Sequence, residues 1–180
     1  MNRLLRAVLL FLIAAPAIAD SPADQSPTRA EEMNNLRLQE LIEGIGDDVE
    51  GRPGHWQFTL QEFPTTVITD EKADRMRIIV PVAAISEVDS DRLLRLMQAN
   101  FDSALDARYS VARGVLWSAF IHPLSTLSEQ QFVDGLAQTV NLAATYGTTY
   151  SSGALIFGGG DSKQEQNKYY REIIERANSI

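Results

Sequence analysis

Few side chains in this sequence could do chemistry, and their spacing does not group them for it. His55 and His122 are the only imidazoles in 180 residues, and there is no cysteine. A metal site needs three or four ligands, and no HxH, HxxxH or HExxH spacing occurs. Ser118, Ser125 and Ser128 lie near His122 in sequence, which is the raw material of a serine nucleophile and its base. No GxSxG elbow holds any of them, and Ser128 is better explained as a helix cap. Gly158-Gly159-Gly160 precede Asp161 and Ser162 but lack the GK[ST] ending of a phosphate loop, and Asp161 would repel an anion. The acidic pairs Glu31-Glu32, Asp47-Asp48 and Asp89/Asp91 have no EF-hand spacing and sit where acids cap helices and solvate turns. The expectation is therefore a protein that is not an enzyme, with no catalytic residue, no metal ligand and no cofactor.

Binding by shape remains. The formal charge of −8 argues against nucleic acid, whose phosphates need a basic footprint. Two tryptophans, seven phenylalanines and five tyrosines supply apolar anchors. Residues 89–101 read as a helix in which Leu93, Leu94, Met97 and Phe101 cover one face and Leu96 widens it. That stripe exceeds what one layer of packing needs, so part of it is expected to meet a second subunit or a partner. The expected dimer or partner surface is Leu93, Leu96, Met97, Trp56 and Trp117. The partner would be a protein or an extended peptide segment, with a homodimer as one form. A small-ligand or sensory domain is the alternative, with Trp56, Trp117 and Tyr109 lining a pocket between sheet and helix.

The elements that must position these residues follow from periodicity. Residues 29–46 read as a helix capped by Thr28, with Leu38, Leu41, Ile42 and Ile45 on one face and Gly44 and Gly46 at its end. Trp56, Phe58 and Leu60 alternate with polar residues in a strand, residues 65–69 form a second, and Met76, Ile78, Val80 and Val82 mark a third after a charged turn at 70–74. Pro81 marks that third strand as an edge, or as ending there. Residues 106–121 read as a hairpin turning at Arg113-Gly114, with Tyr109 and Val111 on one arm and Val115, Trp117, Ala119 and Ile121 on the other. Ser128 and Gln131 form a capping box, stapled by Leu127 and Phe132, that opens a helix ending at Gly147. A polar helix is expected at 162–178. The fold class is α+β: an antiparallel sheet of about five strands packed by helices, in the order α-βββ-α-ββ-α with a C-terminal helix.

The first 19 residues have the anatomy of a secretory leader: Arg3 and Arg6, an apolar run at 7–15, Pro16, and Ala17-Ile18-Ala19 before the cut. The run is short of the roughly 20 residues that span a bilayer, so no membrane span is expected after cleavage behind Ala19. Residues 20–28 read as a linker, 29–150 as the domain, and 151–180 as a Gly-rich joint with the last helix. A leader on a cysteine-free chain suggests a bacterial envelope, periplasmic or secreted.

Residues 77–147 resemble the class I type III secretion chaperone-like (Tir chaperone) superfamily, including the sensory-transduction-regulator-like (YbjN-type) domains. The likeness rests on the strand at 77–82, the helix ending LMQANF, the hairpin reading RGVLWSAFIHPL, and Leu127-Ser128 opening a long Ala-rich helix. With the helix and strands of 30–82 it spans about two thirds of the chain. It implies a non-enzymatic, commonly dimeric fold that holds extended segments of partner proteins. The leader and the last helix are additions to that pattern.

Overall fold

The computed structural model describes residues 32–102, 104–147 and 171–179. The chain divides into two units, Met1–Ala30 and Glu31–Ile180. The first unit, and with it the leader, the linker and the Thr28 cap, lies outside the described residues, as does the triple glycine at 158–160.

Helix α1 (Asn35–Ile45) starts later than its periodicity suggests. Asn34 is the cap, its side chain accepting from Arg37 N at 3.0 Å. Glu32 precedes the helix rather than occupying its first turn. The predicted face is the buried one: Leu38, Leu41, Ile42 and Ile45.

Six strands follow: β1 (Asp47–Arg52), β2 (His55–Leu60), β3 (Phe63–Asp70), β4 (Arg75–Ala84), β5 (Arg108–Ala112) and β6 (Val115–His122). They form one antiparallel sheet in the order β1-β2-β3-β4-β6-β5. The sheet has six strands where about five are expected. The extra one, β1, has Val49 as its only large apolar residue and is a strand because it pairs with β2 at the sheet's edge.

The strand that contains Pro81 is central, not an edge. β4 pairs with β3 on one side and β6 on the other, and its register with β6 shifts between Pro81 and Ala83. A missing N–H is tolerated at such an irregularity. The β5–β6 turn is as predicted, with Arg113 at φ 54° and Gly114 at φ 76°, the left-handed pair of a tight hairpin turn.

Helix α2 (Ser90–Asp102) lies between β4 and β5 in sequence, α3 (Glu129–Ala144) follows β6, and residues 171–177 form α4. The capping box of α3 is complete: Ser128 Oγ accepts from Gln131 N, and the Gln131 side chain accepts from Ser128 N. Leu127 and Phe132, the staple positions, are both buried.

One face of the sheet is covered. Trp56, Phe58, Leu60, Val67, Met76, Ile78, Val80, Leu116 and Phe120 alternate into a core shared with α1, α3 and Ile173 of α4. Arg176 ties α4 to β1 through a two-pronged pair with Asp47, at 2.9 and 2.5 Å. Helix α3 comes close to β6: a Cβ at Gly135 would stand 2.8 Å from the Phe120 ring. The opposite face of the sheet has no described helix packed on it.

Candidate protein-binding surfaces

Helix α2 buries the other side of its stripe from the one its periodicity suggests. Leu96 and Ala99 face inward, while Leu94 is 61% exposed, Met97 41% and Phe101 85%. These three sit at i, i+3 and i+7, so they form one outward row along the helix. Leu105, just beyond the helix, adds another exposed apolar side chain. Singly exposed apolar residues are ordinary, but a row of large ones marks an interaction surface.

Two polar contacts hold α2 in place. Asn100 Nδ2 donates to Tyr109 O at 3.0 Å, and Asn100 Oδ1 accepts from Tyr109 N at 2.7 Å. At the other end the Arg92 guanidinium lies 5.9 Å above the Tyr146 ring. The loop into β5 is fixed on α3, where Gln138 Oε1 accepts from Asp106 N and Ala107 N.

The structure does not bring the five expected surface residues together. Met97 is on the α2 surface and Leu93 is half-buried. Leu96 is buried in the core of the single chain. Trp56 is fully buried, and its indole N–H donates to the Gln39 side chain of α1. Trp117 is half-buried on the opposite sheet face, its Nε1 donating to Ala112 O at 3.0 Å. The pocket of Trp56, Trp117 and Tyr109 is therefore not formed: Trp56 and Tyr109 point to one face of the sheet and Trp117 to the other. The phase expected for β6 is inverted throughout, since Leu116, Ser118 and Phe120 face the core. Val111 is exposed while Tyr109 is buried, because β5 ends at the sheet margin.

The uncovered sheet face is the second surface. Cross-strand neighbours share a face, so the register places Ile68, Arg77 and Ile121 side by side on β3, β4 and β6. Ile79, Ala119 and Arg108 make the next row. Leu94, Phe101, Arg77 and Ile121 are the surface residues missing from the expected set of five, although Leu94 and Phe101 stand on the apolar helix face read from the sequence. Their signal was present as the 94/97/101 spacing and as the alternation of Arg75 and Arg77 with the buried strand positions.

The candidate chemical groups are dispersed. His55 is exposed at the start of β2. His122 lies at the end of β6, its Nδ1 2.7 Å from Pro123 O and its ring stacked on Phe120. Ser118 is buried without a hydrogen-bond partner among the described residues, Ser125 Oγ donates to Asp74 at 2.9 Å, and Ser128 caps α3. None of the three serines is paired with His122. Among the described residues no group of three His, Asp or Glu side chains is placed to hold a metal. No described helix is long and apolar enough to cross a membrane. A polar cavity of about 380 Å³ opens beside α3, lined by Asp106, Arg108, His122, Gln131, Asp134 and Gln138 among others.

The shifted acidities belong to structural contacts. Hydrogen bonds from Ser125, first from its backbone N–H, hold the Asp74 carboxyl below its usual range. The Arg176 guanidinium does the same for Asp47, and the backbone N–H of Arg92 for Asp89 at the start of α2.

Solved structures align with this domain. A chain of the ExsC–ExsE complex aligns with a TM-score of 0.50 at 14% identity, covering 68% of this chain and all of that one. A chain from the Yersinia pestis type III secretion chaperone SycH in complex with a stable fragment of YscM2 aligns at 0.48 and 15% identity, over 62% of this chain and 97% of that one. A chain of the HopA1–SchA chaperone–effector complex aligns at 0.47 and 13%, over 62% and 94%. The domain has the fold of the aligned chain of the ExsC–ExsE complex, an α+β fold consistent with the chaperone-like arrangement that the resemblance implies. No protein-family model and no curated protein matches the sequence.

Proposed function

We propose that this chain is an exported, non-enzymatic protein-binding module that holds a segment of a partner protein in the periplasm and pairs with a second copy through α2. The observation that carries the reading is the row of Leu94, Met97 and Phe101, which a lone chain leaves in water. Three large side chains exposed on one helix face are costly unless something covers them, at roughly 1.5–3 kcal/mol for each that becomes fully buried. The fold supports the reading by analogy, since the ExsC–ExsE structure is that of a complex between proteins. Export rests on the leader anatomy of residues 1–19.

Light scattering on the chain cut after Ala19 tests the pairing. A mass of two chains that Met97→Glu with Phe101→Glu reduces to one supports it, and a single-chain mass for the unaltered protein overturns it. Fractionation of cells producing the full chain tests export: recovery in the periplasm, shortened by the leader, is expected.

A further inference from the structure

The uncovered sheet face is less acidic than the molecule as a whole. Its outward positions include Arg52, Arg75 and Arg77 against Glu50 and Asp70, with Asp47, also outward in register, already paired with Arg176, a small excess of basic groups on a chain of net charge −8. These arginines are not spent inside the fold. Arg52, Arg75 and Arg77 have no ion-pair partner among the described residues. Asp70 is opposite Arg75 in register, yet its carboxylate accepts from Lys72 N and Ala73 N in its own turn.

The apolar part of the face lies among these charges. Arg77 stands between Ile68 and Ile121 in one row, and Ile121 is 64% exposed. Trp117 and Pro81 are opposite each other farther along β4 and β6. A guanidinium flanked by isoleucines suits a carboxylate carried among apolar side chains, because its planar fork takes the carboxylate in two bonds while the flanks exclude water. The acidic remainder of the molecule repels such a segment, so charge steers it to this face.

We propose that the open sheet face binds an extended acidic segment of a partner protein, presenting both carboxylates and apolar side chains, with a carboxylate on Arg77 between Ile68 and Ile121. This rests on the reading of the chain as a protein-binding module and names the partner's chemistry. The segment need only be short: six strands about 4.8 Å apart are crossed by an extended chain of about ten residues with some to spare.

The test uses fluorescence anisotropy with two labelled peptides of about that length, one mixing Glu with Leu and one with Lys in place of every Glu. The Glu/Leu peptide is expected to bind, more weakly as salt rises, and the Lys/Leu peptide is not. Arg75→Glu with Arg77→Glu, both at exposed positions, is expected to weaken binding roughly tenfold or more. Ile121→Ser is expected to weaken it without changing the salt dependence. Equal binding of the two peptides, or binding that the arginine reversals leave unchanged, overturns the proposal. Failure to bind the Glu/Leu peptide alongside arginine-dependent binding to phosphatidylglycerol vesicles overturns it in favour of a lipid surface. Because pairing through α2 is measured separately, an intact dimer that ignores the Glu/Leu peptide overturns this proposal while leaving the protein-binding reading in place.

Discussion

Asn100 gives Tyr109 both hydrogen bonds of a missing neighbouring strand. Its side-chain amide accepts from the Tyr109 N–H and donates to the Tyr109 carbonyl, so one residue of α2 occupies the free edge of β5. Unpaired strand edges are templates for association, and a single amide blunts this one. Below, the Tyr109 hydroxyl donates to Leu142 O at 2.7 Å, so the same residue fastens α2, β5 and α3 together.

Asn100→Ala should therefore destabilise the domain by about 1–3 kcal/mol, since it leaves two half-buried backbone groups unpaired. Urea unfolding measures the loss, and amide exchange at Tyr109 should accelerate more than at the β3–β4 pairs. Asn100→Asp keeps the acceptor and loses the donor, and should fall between the two.

Gly135→Ala should also destabilise, by about 1–3 kcal/mol, although alanine is the better helix former by about 1 kcal/mol. The cause is the Phe120 ring, 2.8 Å from where the new Cβ would stand. Phe120→Leu makes room, so the double variant should be more stable than the sum of the single losses predicts. Additive losses would show that the close approach of α3 to β6 is not the reason for the glycine.

Leu96 and Met97, adjacent in sequence, should separate folding from assembly. Leu96→Glu puts a carboxylate into the core and should cost about 3 kcal/mol or more. Met97→Glu lies on the exposed row and should change the stability of the single chain by no more than about 0.5 kcal/mol. Thermal unfolding together with light scattering distinguishes the two: the first variant melts early, and the second changes mass alone.

The Asp74–Ser125 clasp should make stability depend on acid. Asp74 holds the β3–β4 turn to the loop after β6 and has a depressed folded-state pKa. Its contribution is present above the unfolded value of about 3.9 and is lost as pH falls through the lower folded value. Urea midpoints at about pH 6 and about pH 3 should fall less in Asp74→Asn than in the unaltered protein. Asp47, depressed by Arg176, adds a second loss in the same direction.

What could be read from the sequence depended on whether one phase of a pattern was apolar or two. Leu38, Leu41, Ile42 and Ile45 stand among polar neighbours, so their face was unambiguous, and Ser128 with Gln131 marks a helix start by hydrogen bonding alone. In β6 both phases are largely apolar, Val115, Trp117, Ala119 and Ile121 against Leu116 and Phe120, and alternation cannot say which faces the helices. Only the cover of α3 over Phe120 decides it. Helix α2 has the same ambiguity, settled by the Asn100 clamp that turns Leu96 inward and Met97 outward. Strand β1 was illegible because Asp47, Asp48 and Glu50 have no strand preference of their own. Pairing with β2 makes it a strand. The open face escaped notice for a related reason: Arg77 and Ile121 become neighbours only through the β4–β6 register.

The strand order β1-β2-β3-β4-β6-β5 joins only one pair of strands that are not consecutive in sequence, β4 with β6. Its consequence is kinetic. The first four strands form a meander in which each pairing follows a short turn, and β5 with β6 is a hairpin that can close by itself. A single loop of about 30 residues, containing α2, must close to bring the halves together, and closing a longer loop costs little more than closing a short one. Both halves can gather structure from local contacts, so the slow, committing event is the meeting of β4 and β6. That seam runs beside Pro81, where the ladder is already irregular.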